Sequence, residues 1–412
     1  MAWDSSMEHA TTALPGLVGR YYARVLRRLE HGTLDLELAD GSSQRFGQDG
    51  SLQADLRLRR PARLLRRLLV HGALGLAEGY IAGDWETRNL TTLLRLLNAN
   101  ETALERAARP GLLARAALRL RHYLRRNTPS GSRRNIAAHY DLGNAFYRLW
   151  LDPSMTYSSA LFGDAEKPAT DRFTLAQAQQ HKYRRMLDLL DARPGERVLE
   201  IGCGWGGFAR AAAERGLNVT GLTLSREQLD WARANRVAAT PGSVEYAFRD
   251  YREETGRYDH VVSIEMFEAV GEAWWPAYFH NLCRCLKPGG RAALQVITID
   301  EEAFPRYRQN PDFIQLYIFP GGMLPTTTHL SGLAREAGLR VRRMDHFGLH
   351  YAETLRLWQE RFNACRSALR DLGFDEPFLR MWRYYLSYCE AGFRAGRINL
   401  VQLALERPGI GA

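Results

Sequence analysis

Lysine, cysteine and long apolar runs are all scarce in this chain. The five cysteines show no metal-ligand spacing, because Cys283 and Cys285 lack a second pair or a histidine cluster, so they predict neither zinc nor disulfides. No apolar run approaches the roughly 20 residues that a membrane span needs. The N-terminus also lacks the apolar core of a secretory signal. These absences predict a cytoplasmic protein that binds no metal.

Because lysine supplies only three of the 56 basic residues, arginine carries the positive charge. Residues 1–134 hold 22 arginines against 13 acidic residues, which accounts for nearly all of the formal net charge of +10. This excess indicates an anionic partner, either phospholipid headgroups or nucleic acid, although a general preference for arginine explains part of it. A nucleic-acid cleft would need basic residues among aromatic ones in the remaining, charge-balanced part. We therefore expect a membrane surface and no nucleic acid.

A glycine-rich turn marks the expected place of the chemistry. Residues 198–210 pass from an apolar strand through Gly202, Gly204 and Gly206 into a helix. Glycine adopts positive φ and lets the backbone approach a ligand, and the N-terminus of the next helix presents free N–H groups. Glycines in such turns also serve packing alone, so the motif by itself leaves both roles open.

The segments after this turn continue a β-α rhythm. Strands are predicted over 218–224, 243–248, 258–265 and 291–299, with a turn over 286–290. Ser225 and Gln228 form a predicted capping box. The second strand lacks the terminal carboxylate of a dinucleotide site, and Gln228 is the nearest polar candidate. The pattern predicts an α/β doubly wound sheet and resembles class I S-adenosylmethionine-dependent methyltransferases, which have a Rossmann-like fold.

Five segments resemble a narrower family, the cyclopropane-fatty-acyl-phospholipid synthases. They are residues 139–162, 266–271, 312–325, 350–355 and 393–398. The resemblance implies transfer of a methyl or methylene group from S-adenosylmethionine to the double bond of unsaturated phospholipid acyl chains, forming cyclopropanes. It also implies a homodimer that associates peripherally with the inner, anionic face of the membrane.

Three other functions stay open at this stage. The same attack on the alkene could give methylene- or methyl-branched chains, the acceptor could be a small soluble molecule, or a relic fold could bind lipid without catalysis.

Two domains are expected. Residues 1–126 are predicted to form a smaller, basic α+β module for lipid binding or docking, with a hairpin at Asp40-Gly41, a strand over 52–58, helices over 61–70 and 90–97, and a turn over 79–85. Its last helix, 110–126, carries Arg115, Arg119 and Arg126 on one face, and either packs on its own domain or binds headgroups. Residues 127–134 are the predicted linker, and residues 135–412 the methyltransferase domain with acyl-chain-binding insertions, which includes an aromatic-rich helix over 374–393.

The resemblance assigns nine residues to the cofactor. They are Tyr157 and Ser158 at the methionine end, Gly202, Gly204 and Trp205 beneath the ribose and methionyl moiety, Thr223 and Gln228 at the ribose, and Asp250 and Tyr251 at the adenine.

The resemblance also implies a bound bicarbonate as the base, held by five residues. They are Ser159, Glu268, Gln295, Ile297 and Tyr351, the first and fourth through backbone atoms. Ser159 replaces the usual cysteine, a harmless change if the contact is a backbone amide. Gln295 replaces the usual histidine, and an amide donates a hydrogen bond but does not titrate near neutral pH. Glu268 stands out independently, because a carboxylate after an apolar strand is costly unless it is bonded or functional.

Overall fold

A computed structural model describes residues 16–48, 50, 52–105, 142–236 and 239–409. The chain divides into two compact units, one made of residues 1–118 and 373–395 and the other of residues 119–372 and 396–412. The helix Glu376–Arg394, expected within the methyltransferase domain, therefore belongs to the first unit. The predicted helix over 110–126 and the linker over 127–134 lie outside the described residues.

The first unit contains a four-stranded sheet. Its strands are β1 (Thr33–Leu38), β2 (Ser43–Gly47), β3 (Gln53–Leu58) and β4 (Trp85–Glu86), in the order β2-β1-β3-β4. β1 and β2 pair antiparallel around Asp40-Gly41, so the predicted hairpin is confirmed. Alternate residues such as Leu34, Leu36 and Leu58 are buried, as the period of a strand requires.

Helices surround this sheet. They are Gly16–Leu26, Pro61–His71, Ala73–Ile81, Leu90–Ala99, Glu101–Glu105 and Glu376–Arg394. The predicted turn over 79–85 is wrong at its start, because Gly79 lies inside the third of these helices. A Cβ at Gly79 would approach Leu64 Cδ1 to 2.6 Å. Gly79 therefore permits close packing and does not make a turn.

The second unit is built on a seven-stranded sheet, in the order β10-β11-β9-β8-β5-β6-β7. Its strands are β5 (Arg197–Ile201), β6 (Asn218–Thr223), β7 (Ser243–Phe248), β8 (Tyr258–Ile264), β9 (Leu286–Ile299), β10 (Arg340–His346) and β11 (Ile398–Glu406). β5 to β9 pair in parallel, and β11 lies antiparallel between β9 and β10. The predicted turn over 286–290 instead belongs to β9, as an irregularity opposite β8.

Successive residues of the central strands enter two different apolar cores. Val198 packs in one core and Leu199 in the other, as do Ala293 and Leu294. Because neighbouring side chains of a strand point to opposite faces, the sheet is covered on both sides, and the predicted doubly wound α/β fold is confirmed.

The second unit carries nine α-helices within its described residues. They are Asn144–Arg148, Leu175–Leu190, Gly207–Glu214, Arg226–Ala234, Trp275–Cys285, Phe304–Gln309, Thr327–Glu336, Gly348–Ala364 and Arg366–Asp371. In the described part of either unit, none of the helices combines the length and apolarity that crossing a bilayer would take.

Candidate active site

A cleft of about 980 Å³ opens at the carboxyl ends of β5, β6 and β8. Ligands of open α/β sheets bind at this edge, where the turns after the strands face one space. Eight of the nine predicted cofactor residues line the cleft. They are Tyr157, Ser158, Gly202, Gly204, Trp205, Thr223, Gln228 and Tyr251.

The glycine turn after β5 forms one wall of this cleft. Gly202, Gly204 and Gly206 have φ values of 83°, 52° and 82°, a region that side chains disfavour. A Cβ at Gly202 would lie 2.8 Å from Met266 Cγ, whereas a Cβ at Gly204 would meet no atom within 4 Å. The turn therefore needs glycine for its path at Gly202 and Gly206, and presents bare backbone to the cleft at Gly204.

The predicted ribose residues are held by each other. Thr223 Oγ1 donates to Gln228 Oε1 at 2.9 Å, and both side chains are buried. Ser225 caps the helix by accepting from the Gln228 backbone N–H at 3.3 Å, as predicted. The capping box is incomplete, since the Gln228 side chain bonds to Thr223 and not back to Ser225. That amide is thereby kept beside the cleft.

Asp250 is the predicted cofactor residue that does not line the cleft. Its carboxylate accepts the backbone N–H of Arg252 at 3.0 Å and its guanidinium at 2.8 and 2.6 Å. The following residue, Tyr251, faces the cleft instead. Asp250 thus shapes the turn that positions Tyr251.

A buried lysine bonds to Ser158, one of the residues that line the cleft. Lys182 Nζ donates to Ser158 Oγ at 2.6 Å and to Gln179 Oε1 at 2.8 Å. Burial lowers the pKa of Lys182 to about 7, although the charges of Glu265, Asp152 and Glu200 oppose that shift.

Glu265, which the sequence analysis did not select, collects three of the five predicted bicarbonate ligands. Its Oε1 accepts the Ser159 backbone N–H at 2.8 Å and Gln295 Nε2 at 2.7 Å, and its Oε2 accepts the Tyr351 hydroxyl at 2.6 Å. Glu265 also lines the cleft. Its φ is 51°, a conformation that non-glycine residues adopt mainly where the surrounding structure enforces it. Burial raises the pKa of Glu265, and the bond from Tyr351 counteracts part of that rise.

The other two predicted bicarbonate ligands bond to each other. Glu268 Oε1 accepts the Ile297 backbone N–H at 2.6 Å, and Glu268 Oε2 is buried without a partner among the described residues. Burial and the neighbouring charge of Glu265 raise the pKa of Glu268 to about 8. The expected five-residue site is therefore divided between two carboxylates of the chain itself.

A chain of hydrogen bonds fixes the amide of Gln295. Arg185 Nε donates to Gln402 Oε1 at 2.8 Å, and Gln402 Nε2 donates to Gln295 Oε1 at 2.9 Å. A guanidinium can only donate, so each amide must turn its oxygen toward Arg185 and its nitrogen toward Glu265. β11 and β9 place Gln402 directly opposite Gln295. The nitrogen of Gln295 is thus set as a donor to the carboxylate.

The sequence matches a known protein family and several of its members. The model of the mycolic acid cyclopropane synthetase family matches residues 128–403. The chain belongs to this family. It is 42% identical over 401 residues to the tuberculostearic acid methyltransferase UfaA1 of Mycobacterium tuberculosis, covering 94% of this chain and 91% of the relative. It is 35% identical over 365 residues to the cyclopropane-fatty-acyl-phospholipid synthase of Escherichia coli K12, covering 87% and 89%.

The fold is also similar to that of a solved member of this family. The mycolic acid cyclopropane synthase CmaA1, complexed with SAH and CTAB, has a TM-score of 0.60 and 33% identity over 66% of this chain and 98% of that one. The predicted family and the class I methyltransferase fold are both confirmed. The protein is an S-adenosylmethionine-dependent methyltransferase.

The cleft suits this cofactor, whose sulfonium is a cation. Glu200 and Glu265 supply carboxylates, and the buried Glu200 Oε2 has no hydrogen-bond partner in the described part of the chain. Tyr157 and Trp205 add aromatic faces that attract positive charge. Gly204 leaves room for close approach of the ligand to the backbone.

Sequence reasoning missed Glu265, Glu200 and Lys182. A signal for Glu265 was present, because it follows the apolar β8 directly and so meets the burial argument that was applied to Glu268. Glu200 is a carboxylate within an apolar strand and carries the same signal. For Lys182 the spacing of apolar residues predicts that the helix has a buried face, but nothing near it in sequence indicates that this lysine lies on that face.

Proposed function

We propose that this protein methylates the double bond of unsaturated acyl chains in membrane phospholipids and leaves a methylene branch. The observation that carries the proposal is the pair of carboxylates, Glu265 and Glu268, at the end of β8. Such a pair suits a substrate that becomes positively charged during the reaction. An alkene does so when it is methylated, since the π electrons that form the new bond leave the other alkene carbon with an empty orbital.

The residues divide the steps between them. S-adenosylmethionine, when bound, supplies an electrophilic methyl group on a positively charged sulfur. The carbon–sulfur bond breaks as the π electrons of the alkene form a bond to this methyl, which leaves a cation on the other alkene carbon. Glu265 and the rings of Tyr157 and Trp205, which line the cleft, stabilise that cation.

The fate of the cation decides the product. If a hydride shift first moves the charge to the methylated carbon, loss of a proton from the new methyl gives a methylene branch. If the proton leaves before that shift, the same electron pair closes a cyclopropane. The relative that matches 94% of this chain is named a tuberculostearic acid methyltransferase and not a cyclopropane synthase, which supports the first product.

Cyclopropane formation is the second candidate, supported by the relatives named cyclopropane synthases. The test incubates the purified protein with dioleoyl phosphatidylglycerol vesicles and S-adenosylmethionine, followed by mass spectrometry of the acyl chains. Both products gain one CH₂, and mild hydrogenation then adds H₂ to a methylene branch but not to a ring. Hydrogen uptake supports the proposal, and a product that resists hydrogenation favours the ring. Free oleate in place of the vesicles tests the requirement for phospholipid.

The membrane is the proposed partner surface. The helix Pro61–His71 exposes Leu69 and Val70, which are 50% and 44% accessible, on the same face as Arg63 and Arg66. Apolar side chains among arginines fit an anionic lipid surface, where the former enter the interface and the latter meet headgroups. This segment supports membrane association independently of the helix predicted over 110–126, for which headgroup binding was one of two roles.

A further inference from the structure

The four donors that the family resemblance offers to a bicarbonate are already bonded to carboxylates of this chain. Ser159, Gln295 and Tyr351 donate to Glu265, and Ile297 donates to Glu268. The donors come from three separate segments of the second unit, the loop at Ser159, the strand β9 and the helix Gly348–Ala364, so their convergence is a property of the fold and not of one loop. An anion bound at these donors would have to displace the side chain of Glu265.

We propose that the carboxylate of Glu265 replaces bicarbonate as the proton acceptor of the reaction. The inference rests on the proposed function, because it names the base for the alkene methylation described above. Three hydrogen bonds hold the carboxylate in one orientation at the wall of the cleft. The hydrogen-bond chain from Arg185 ensures that Gln295 approaches it as a donor.

The proton balance is complete without an added reactant. A carboxylate oxygen of Glu265 takes a proton from the new methyl group, and the C–H electron pair remains on the substrate as the new π or ring bond. Glu265 then returns the proton to solvent through the open cleft. A proton beside a carbocation is strongly acidic, so a carboxylate is a sufficient base.

Gln295 fits this role better than the histidine that it replaces. A base that is part of the chain needs a fixed donor to orient it, and it needs no second titrating group beside it. The amide of Gln295 donates at every pH and stays neutral. The substitution that seemed a defect in a bicarbonate site is therefore consistent with a built-in acceptor.

The test compares wild type with Glu265→Gly and Glu265→Gln. Glycine removes the carboxylate, tolerates the left-handed backbone and leaves a space that bicarbonate can enter. Glu196→Gln is the matched control, since Glu196 is a carboxylate of the same unit bonded to His260 at 2.8 Å and distant from the cleft lining. Release of S-adenosylhomocysteine is measured in carbon dioxide-free buffer and again with tens of millimolar bicarbonate.

We expect the turnover of wild type and Glu196→Gln to be the same in both buffers. Both Glu265 variants should lose about 100-fold or more without bicarbonate, the lower range for removal of a general base. Added bicarbonate should restore Glu265→Gly at least tenfold, with saturation, and should not restore Glu265→Gln, which fills the space. The proposal would be overturned if the turnover of wild type fell when bicarbonate was removed. It would also be overturned if the turnover of Glu265→Gly were the same with and without bicarbonate.

A binding measurement separates this inference from the proposed function. ¹³C NMR of labelled bicarbonate is recorded with each protein, without lipid. If Glu265→Gly broadens the bicarbonate resonance and wild type does not, the result supports Glu265 as the proton acceptor, independently of which substrate the protein methylates. Bicarbonate binding by wild type contradicts it. Wild type that methylates no unsaturated lipid contradicts the proposed function alone. S-adenosylhomocysteine titration shows that each variant is folded. If Glu265→Gly does not fold, the turnover of wild type without bicarbonate and its bicarbonate binding still test the proposal.

Discussion

Removing the hydroxyl of Tyr351 should move the pH dependence of turnover. This hydroxyl donates to Glu265 Oε2 at 2.6 Å, and the bond is possible only while the carboxylate accepts it. A hydrogen bond to a charged group is worth about 1.5–3 kcal/mol. Tyr351→Phe removes this bond to the charged form and should therefore raise the pKa of Glu265 further.

The direction of the shift follows from the role of the carboxylate. A base must be charged to accept a proton, and a higher pKa means that it becomes charged only at higher pH. The acidic limb of the pH–turnover profile should therefore move to higher pH. Lys182 and Glu268 are the other titratable groups coupled to Glu265, and both remain in place in this variant.

The assay is S-adenosylhomocysteine release at saturating cofactor between pH 5 and pH 9. Tyr22→Phe is the control, because it removes another buried hydroxyl, one that donates to the Pro61 carbonyl at 2.9 Å in the first unit. A uniform loss of rate with an unmoved acidic limb would show that Tyr351 only packs against the site. That result would refute the coupling of Tyr351 to a working carboxylate.

Three other variants test separate parts of the structure. Gly202→Ala should weaken S-adenosylhomocysteine binding more than about tenfold in calorimetry, because its Cβ meets Met266 and its φ is 83°; Gly204→Ala, with open space at its Cβ, should lose less. Glu268→Gln should keep more than about a tenth of turnover at pH 7, since the pKa of about 8 makes Glu268 neutral there and an amide resembles a neutral acid; a complete loss would show that its charge is needed. Leu69→Glu with Val70→Glu should reduce sedimentation with phosphatidylglycerol vesicles, whereas Leu372→Glu, at a side chain 47% exposed elsewhere, should not; equal effects would assign no membrane role to the helix.

The regular elements could be predicted because their signals are local. Apolar strands, glycine turns and the Ser225 cap each depend on a few neighbouring residues, and the strands at 33–38 and 243–248 match their patterns. Gly79 was misinterpreted because a glycine for close packing and a glycine for a turn look alike in sequence. Only the distance to Leu64 distinguishes them.

The site could be predicted in composition but not in its connections. Ser159, Gln295 and Tyr351 were selected from a resemblance that supplied a bicarbonate for them to hold. Their shared contact, Glu265, lies 106, 30 and 86 residues away from them in sequence, and the three donors belong to three different segments of the chain. A left-handed backbone at a glutamate aims the side chain at them, and neither residue type nor spacing encodes that φ.

The one-way order of the bonds from Arg185 to Glu265 constrains how this chain can change during evolution. Arg185 can only donate at one end of this chain of bonds, so Glu265 must accept at the other end. A substitution at one of the four positions therefore changes whether the next residue must donate or accept a hydrogen bond. A residue without an acceptor at 265 would leave the buried Gln295 nitrogen with only the Ser159 carbonyl, at 3.4 Å, as its partner. We therefore expect positions 185, 265, 295 and 402 to be inherited together among descendants of one ancestor, and exchanged together where the chemistry of the family diverged.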